Sequence, residues 1–264
     1  MSWFSTGLST YNSTDLSTEF STAYQPNGEI IMEKEKKPGK VVAKKNSFIQ
    51  TTRYEMSAQQ QKLLLYMVSK IKPTDRDFTT HTYNLWELCE VLGVEKQLNN
   101  RQSILKSLKQ IRDGGFFYKI EDTYRYSGWV SAFEADIDKG EVTIEFDSVL
   151  APYLLNLSEA YTMYDYSLIV GMESKYSIRL YEIIKSYANL RQFEVTVEEL
   201  RALMQITGYE EYKEFKRRVL TQAVLEINKM TDLFVICDPV REGKCIKKIR
   251  FMIFTKKLED GKNE

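Results

Sequence analysis

The chain has 264 residues, 43% of them hydrophobic, which is enough for one large or two small cores. Its 37 basic and 37 acidic residues cancel, so no global field draws it to a polyanion, and any nucleic-acid contact must rest on local clusters. No run of 18 apolar residues occurs, and the start lacks the charged-then-apolar layout of a signal peptide.

Three scattered cysteines, Cys89, Cys237 and Cys245, lie in apolar or strand contexts without metal-like spacing. They predict buried thiols in a reducing compartment, and with the missing membrane and export signals they point to a soluble cytoplasmic protein.

From Phe4 the chain repeats a tetrapeptide five times, FSTG, LSTY, NSTD, LSTE and FSTA. Ser and Thr side chains compete for backbone hydrogen bonds, so the tract predicts a disordered tail. A partner-binding segment is the alternative, since Phe4, Leu8, Leu16 and Phe20 would share one face if it became helical. Residues 33–45 carry six lysines against two glutamates around a Pro-Gly break, the composition of a basic linker.

The first folded unit begins near Asn46, and NSFIQTTRYE is extended in character. Ser57 and Gln60 form a capping box ahead of a helix from about Ala58 to Lys70, ended near Pro73. After a short β-like FTTHTY, Asn84 and Glu87 cap a second helix that stops at Gly93. A third, from about Asn99 to Arg112, buries Ile104, Leu105, Leu108 and Ile111 and shows Arg101, Lys106 and Lys109. FFYKI, YSGWVSAFEADI and EVTIEF then read as strands, with Asp138-Lys139-Gly140 as a hairpin turn. Helix, short strand, two helices and a hairpin is winged-helix order.

A helix-like SVLAPYLLNL and an extended YTMYDYSLIV, in place of Gly/Ser spacer, make a structured link that should fix the separation of the two halves. The order then repeats. The helix SKYSIRLYEIIKSYANL carries an LY-x-x-x-K that matches Leu65, Tyr66 and Lys70 of the first unit. FEVTV is a short strand, and Thr196 and Glu199 form a capping box before LRALMQITG, ended by Gly208.

In the last helix Phe215, Val219, Ala223 and Ile227 recur at strict i, i+4 spacing, with Leu220 and Val224 beside them. Arg217, Arg218, Thr221 and Asn228 point away from that stripe, and Lys213 and Lys216 flank it. The helix stops near 229–231. LFVIC and IRFMIF follow as hairpin arms joined by Asp238–Lys248, with Arg241, Lys244, Lys247, Lys248 and Arg250 on the tip and second arm.

A cationic helix before a cationic hairpin fits the major groove and the flanking phosphates of duplex DNA. A solvated helix on an ordinary hairpin is the competing reading, and two copies of the module favour DNA. Arg217 and Arg218 are candidates for base contact, with phosphate contact as the alternative for each.

MSAQQQKLLLYMVSKI, SKYSIRLYEIIKSY, YKEFKRRVLTQAVLEINKMTDL and the closing IKKIRFMIF resemble plasmid replication initiators of the Rep_3 (RepB/RepE-like) type. The resemblance runs from about Val41 to Lys256. It is most specific at FKRRVL and EIN-x-x-TDL, and it does not include the Ser-Thr tail. It implies tandem winged helices on repeated origin sequences (iterons). It further implies monomers that initiate replication, homodimers joined through the first module that repress the protein's own promoter, and recruitment of host initiator and helicase without catalysis.

The expected class is therefore α+β, two tandem winged-helix domains with a disordered N-terminal tail. The expected divisions are 1–45 tail and basic linker, 46–147 first domain (dimerisation and DNA contact), 148–256 link and second domain (main DNA binding), and 257–264 tail.

The inventory opposes an enzyme. His81 is the single histidine, so no paired-His metal site forms, and no G-x-x-x-x-G-K-[ST] loop occurs. Glu198-Glu199 sit at a helix N-terminus, where the dipole accounts for them. Seventeen tyrosines leave a tyrosine nucleophile open, although Tyr66 and Tyr181 lie in helical core patterns. No catalytic residue, metal or cofactor is expected. A winged-helix transcription regulator without a replication role needs the same DNA-binding parts, and a winged-helix module for protein contacts is a third possibility.

Overall fold

The computed structural model describes residues 30–33, 40–120 and 123–259. The Ser-Thr repeats, most of the lysine run before residue 40 and the last five residues lie outside them.

The first module opens with β2 (Val41–Lys45), α1 (Asn46–Thr51) and α2 (Ala58–Val68). β1 (Ile30–Glu33) precedes them and pairs in parallel with the end of the last strand. Ser57 caps α2, its hydroxyl accepting from Gln60 N–H while the Gln60 side chain accepts from Ser57 N–H at 2.7 Å. β3 (His81–Asn84), α3 (Leu85–Val91) and α4 (Leu98–Asp113) follow. Asn84 Oδ1 accepts from the N–H groups of Trp86 and Glu87. Glu87 does not complete the box; its carboxylate takes the Tyr66 hydroxyl instead. β4 (Gly115–Ile120) and β5 (Thr123–Gly128) form a separate ribbon, and β6 (Val130–Asp136) and β7 (Glu141–Phe146) form the wing.

α5 (Ala151–Leu154), β8 (Tyr161–Asp165) and α6 (Ser167–Val170) bridge to the second module. There α7 (Lys175–Ser186), β9 (Gln192–Thr196) and α8 (Val197–Leu203) lead to a long helix and the strands β10 (Leu233–Glu242) and β11 (Cys245–Glu259). The sheets match: β3–β7–β6 in the first module, and β9 beside β11 and then β10 in the second. In each, the short strand before the middle helix pairs with the returning arm of the wing, so this is one module used twice.

Further local expectations are corrected: the basic linker ends in strand β2, whose Lys44 is buried, and the expected C-terminal tail is strand as far as Glu259. NSFIQT is helical, not extended, because Phe48 is buried against Phe116, Trp129 and Tyr153 and Arg179 binds the Ile49 and Thr52 carbonyls at 2.8 and 2.6 Å. The single strand read from Tyr126 to Ile137 is two, broken at buried Trp129. SLIV leaves the extended run as a helical turn, with Ser167 N–H on Asp165 Oδ1 at 2.8 Å. The Asp238–Lys248 connection is nearly all strand, closing in a tight turn where Gly243 takes φ +64°.

The modules meet along α7, which packs on α1 and α2. β2 pairs antiparallel with β8, Val41 opposite Asp165 and Lys45 opposite Tyr161. Lys44, Arg179 and Glu182 are buried there, and Gln61 Nε2 donates to the Lys175 carbonyl at 3.1 Å. A charged cluster this dry is costly unless every member is paired. Lys44 pairs with Glu182, whose carboxylate also accepts from the hydroxyls of Tyr164 (2.7 Å) and Tyr54 (3.4 Å).

Candidate nucleic-acid interface

The candidate reading element of the second module is a helix from Tyr212 to Met230 whose middle turn, Lys216–Leu220, is π-helical. The strict four-residue apolar spacing has its physical answer here. An α-helix completes a turn in about 3.6 residues, so positions four apart drift round the cylinder. One i→i+5 turn takes up the extra residue. Phe215, Val219, Ala223 and Ile227 consequently all stay buried, while the consecutive Lys216, Arg217 and Arg218 all face solvent.

Lys213 is exposed on the preceding turn, and Thr221 is half-buried at the edge of the stripe. Glu214, absent from the sequence reading of the site, lies among these cations. Its carboxylate takes Arg217 through Nε (3.3 Å) and an η-nitrogen (2.6 Å), and Arg218 Nε stands 3.9 Å away. The Arg217 hydrogen bond pulls the Glu214 pKa below its ordinary value. The signal for it in sequence was the i, i+3 and i, i+4 spacing of Glu214 to the two arginines.

Asn228 does not point to solvent. It is half-buried and holds the wing, its side chain donating to the Val235 carbonyl (3.0 Å) and accepting from the Val235 N–H (2.7 Å). The rest of EIN-x-x-TDL is jointing of the same kind. Glu226 accepts from the N–H groups of Glu173 (3.2 Å) and Ser174 (3.3 Å) at the start of α7, where a carboxylate suits the helix dipole. Asp232 receives the Tyr181 hydroxyl at 2.9 Å and the Lys185 ammonium. The matching Tyr66 and Lys70 meet Glu87, the lysine at 3.6 Å, so the repeated LY-x-x-x-K grips an acid in both modules. Lys256 closes the helix end on the carbonyls of Asn228 and Thr231.

On the wing, Arg241, Lys244 and Lys247 are exposed and Lys248 is half-buried. No ion pair joins any of these four, or Lys213 or Lys216, to a carboxylate among the described residues. Arg250 differs, lying 2.8–2.9 Å from Glu194 across the β9–β11 pair. Cys245, expected among buried thiols, is exposed at the wing turn. Cys237 is half-buried, and burial pushes its thiol up to about 12.

The corresponding face of the first module is weaker. Arg101 stacks over Trp86 at 4.9 Å and donates to the Ile137 carbonyl at 2.7 Å, tying α4 to its wing. Lys109 pairs with Asp113. Lys106 alone of the three is exposed with no ion pair among the described residues. His81 sits on β3 with a ring nitrogen 3.3 Å from the Thr79 hydroxyl. No helix among the described residues is long and apolar enough to cross a membrane.

Two winged helices in tandem, with the cationic helix and wing on the second, define the class as a tandem winged-helix protein. Residues 41–185 match the family described as Initiator Replication protein, WH1, and residues 196–253 match Initiator Rep protein, WH2; the chain belongs to this initiator family. The PI protein of Escherichia coli is 32% identical over 133 residues, 43% of this chain and 44% of that protein. The Replication initiation protein of Escherichia coli is 21% identical over 212 residues, 75% of this chain and 65% of that protein. The matched part is thus under two thirds of either relative's length. The solved structure of the Pi initiator protein in complex with iteron DNA has the same fold, with a TM-score of 0.70 at 16% identity over 83% of this chain and 99% of that one.

Proposed function

We propose that this protein binds repeated duplex sequences at a plasmid origin, nucleates assembly of a replication complex there, and represses its own promoter. Membership of the initiator family supports the reading. The observation that carries it is the exposed Lys216–Arg217–Arg218 row beside a wing whose lysines have no carboxylate partner among the described residues. A helix of this kind fits the major groove, and wing lysines fit the phosphates alongside. In this reading residues 46–147 are the first DNA-contacting domain and 148–256 carry the main DNA-binding domain. The face supplies charge and hydrogen-bond donors, and the reading assigns no reaction or cofactor to it. Host initiator and helicase are the partners for strand opening, in the cytoplasm. A homodimer through the first module belongs to the same reading. In its support, the outer edge of β5 is unpaired among the described residues, and Tyr126 within that strand is 72% exposed.

The test is a plasmid carrying only this gene and the direct repeats next to it. Stable maintenance in the natural host type is expected. Loss of the plasmid despite normal protein levels would sink the initiator reading.

A further inference from the structure

The acidic side chain in the middle of the cationic row is the feature that the proposed function leaves unused. Glu214 lies in a run with four exposed cations, Lys213, Lys216, Arg217 and Arg218, and pairs with the two arginines. A carboxylate placed there opposes any polyanion, so on electrostatics alone it weakens duplex binding. Its geometry gives a compensating role. A guanidinium has five N–H donors in a planar fork. Glu214 takes the Nε edge of Arg217, through Nε at 3.3 Å and Nη2 at 2.6 Å. Both Nη1 donors and the second Nη2 donor remain, which is an end-on fork. That fork matches the O6 and N7 acceptors of guanine in the major groove. A free arginine swivels to the nearest phosphate, whereas one clamped along its Nε edge presents its fork in one direction. The π turn, which brings Arg217 out beside Lys216 and Arg218, fixes the backbone from which the fork projects.

We propose that Glu214 is a specificity-determining positioning residue: it aims the Arg217 fork at one base and, through its own charge, penalises duplexes that lack that base. The inference rests on the reading of this helix as the DNA-reading element.

The experiment is selection of bound duplexes from a pool randomised over about 24 base pairs, two turns of about 10 with flanks. It uses the full chain as wild type, Glu214→Gln and Arg217→Ala. Affinities for the selected duplex and for a random duplex are then measured at several salt concentrations. Glu214 is on the helix surface, so both variants should melt like the wild type, and thermal unfolding checks this. The expected result is that Glu214→Gln loses preference at the same position that Arg217→Ala loses. Its random-duplex affinity should rise, and its discrimination between the two duplexes should fall about tenfold, within the span of one bidentate base contact. A Glu214→Gln protein with unchanged base preferences and unchanged discrimination, while Arg217→Ala loses one position, would overturn the inference and leave the helix reading intact. An Arg217→Ala protein indistinguishable from wild type on both duplexes would overturn the helix reading itself, and the inference with it.

Discussion

Lys44 of β2 and Glu182 of α7 form an ion pair shut away from water, with side-chain exposures of 4% and 0%. Arg179 reaches the same carboxylate at 4.0 Å and anchors the carbonyls that end α1. The contact between the two modules is therefore built on charges that water does not reach while the modules stay together. Burial lowers the Lys44 pKa even with Glu182 beside it, which marks how dry the site is.

Removing one member of such a pair leaves the other buried and uncompensated. Lys44→Met is expected to cost about 3–5 kcal/mol of stability. Adding Glu182→Gln should recover part of that, because the amide still meets the hydroxyls of Tyr54 and Tyr164. Thermal unfolding of the three proteins measures both effects. A Lys44→Met protein that melts like the wild type would show that apolar packing alone seats α7.

The grip of Tyr66, Lys70 and Lys40 on Glu87 sets a pH dependence. The Tyr66 hydrogen bond, followed by the two lysines, holds Glu87 below its ordinary value near 4.5. Just below that value the unfolded chain binds a proton that the folded chain does not, so stability rises with pH across the window. The contribution is complete above pH 4.5 and is lost as pH falls through the lowered folded value. Glu87→Gln should flatten this part of the acid limb and leave the slope near neutral pH unchanged. Denaturant melts at successive pH values measure it, and an acid limb as steep as the wild type would assign the dependence to other carboxylates.

Module order, the caps at Ser57, Asn84 and Thr196 and the cationic stripe were legible because each is written in local spacing. What was hidden depends on partners far along the chain. NSFIQT lacks helix propensity and is helical because Arg179, 130 residues from Ile49, takes its end carbonyl. The glutamate in EIN-x-x-TDL gave no hint of its role until α7 was brought beside it. The tie from Arg101 to the Ile137 carbonyl spans 36 residues, so local spacing carries no sign of it. The π turn was present in sequence as strict four-residue spacing, a pattern that drifts in a regular helix.

The wing should act through charge alone. Neutralising Lys244, Lys247 and Lys248 to Gln is expected to lower affinity about equally for selected and random duplexes. It should also reduce the salt slope by about one unit for each phosphate that the wing no longer neutralises. Filter binding over a salt series reads both quantities. An unchanged slope would mean that the wing stands clear of the backbone.

The most direct measurement is a footprint of the full chain on one origin repeat, before and after about five base pairs are inserted at its centre. If the Lys44–Glu182 contact holds two recognition helices on one duplex face, they should sit about 10 base pairs apart, and the insertion should turn one half to the opposite face. Protection of about 20 base pairs on the intact repeat, abolished on the interrupted one together with most of the specific affinity, is the expected result. Undiminished protection of the interrupted repeat would contradict a rigid tandem reading of one site.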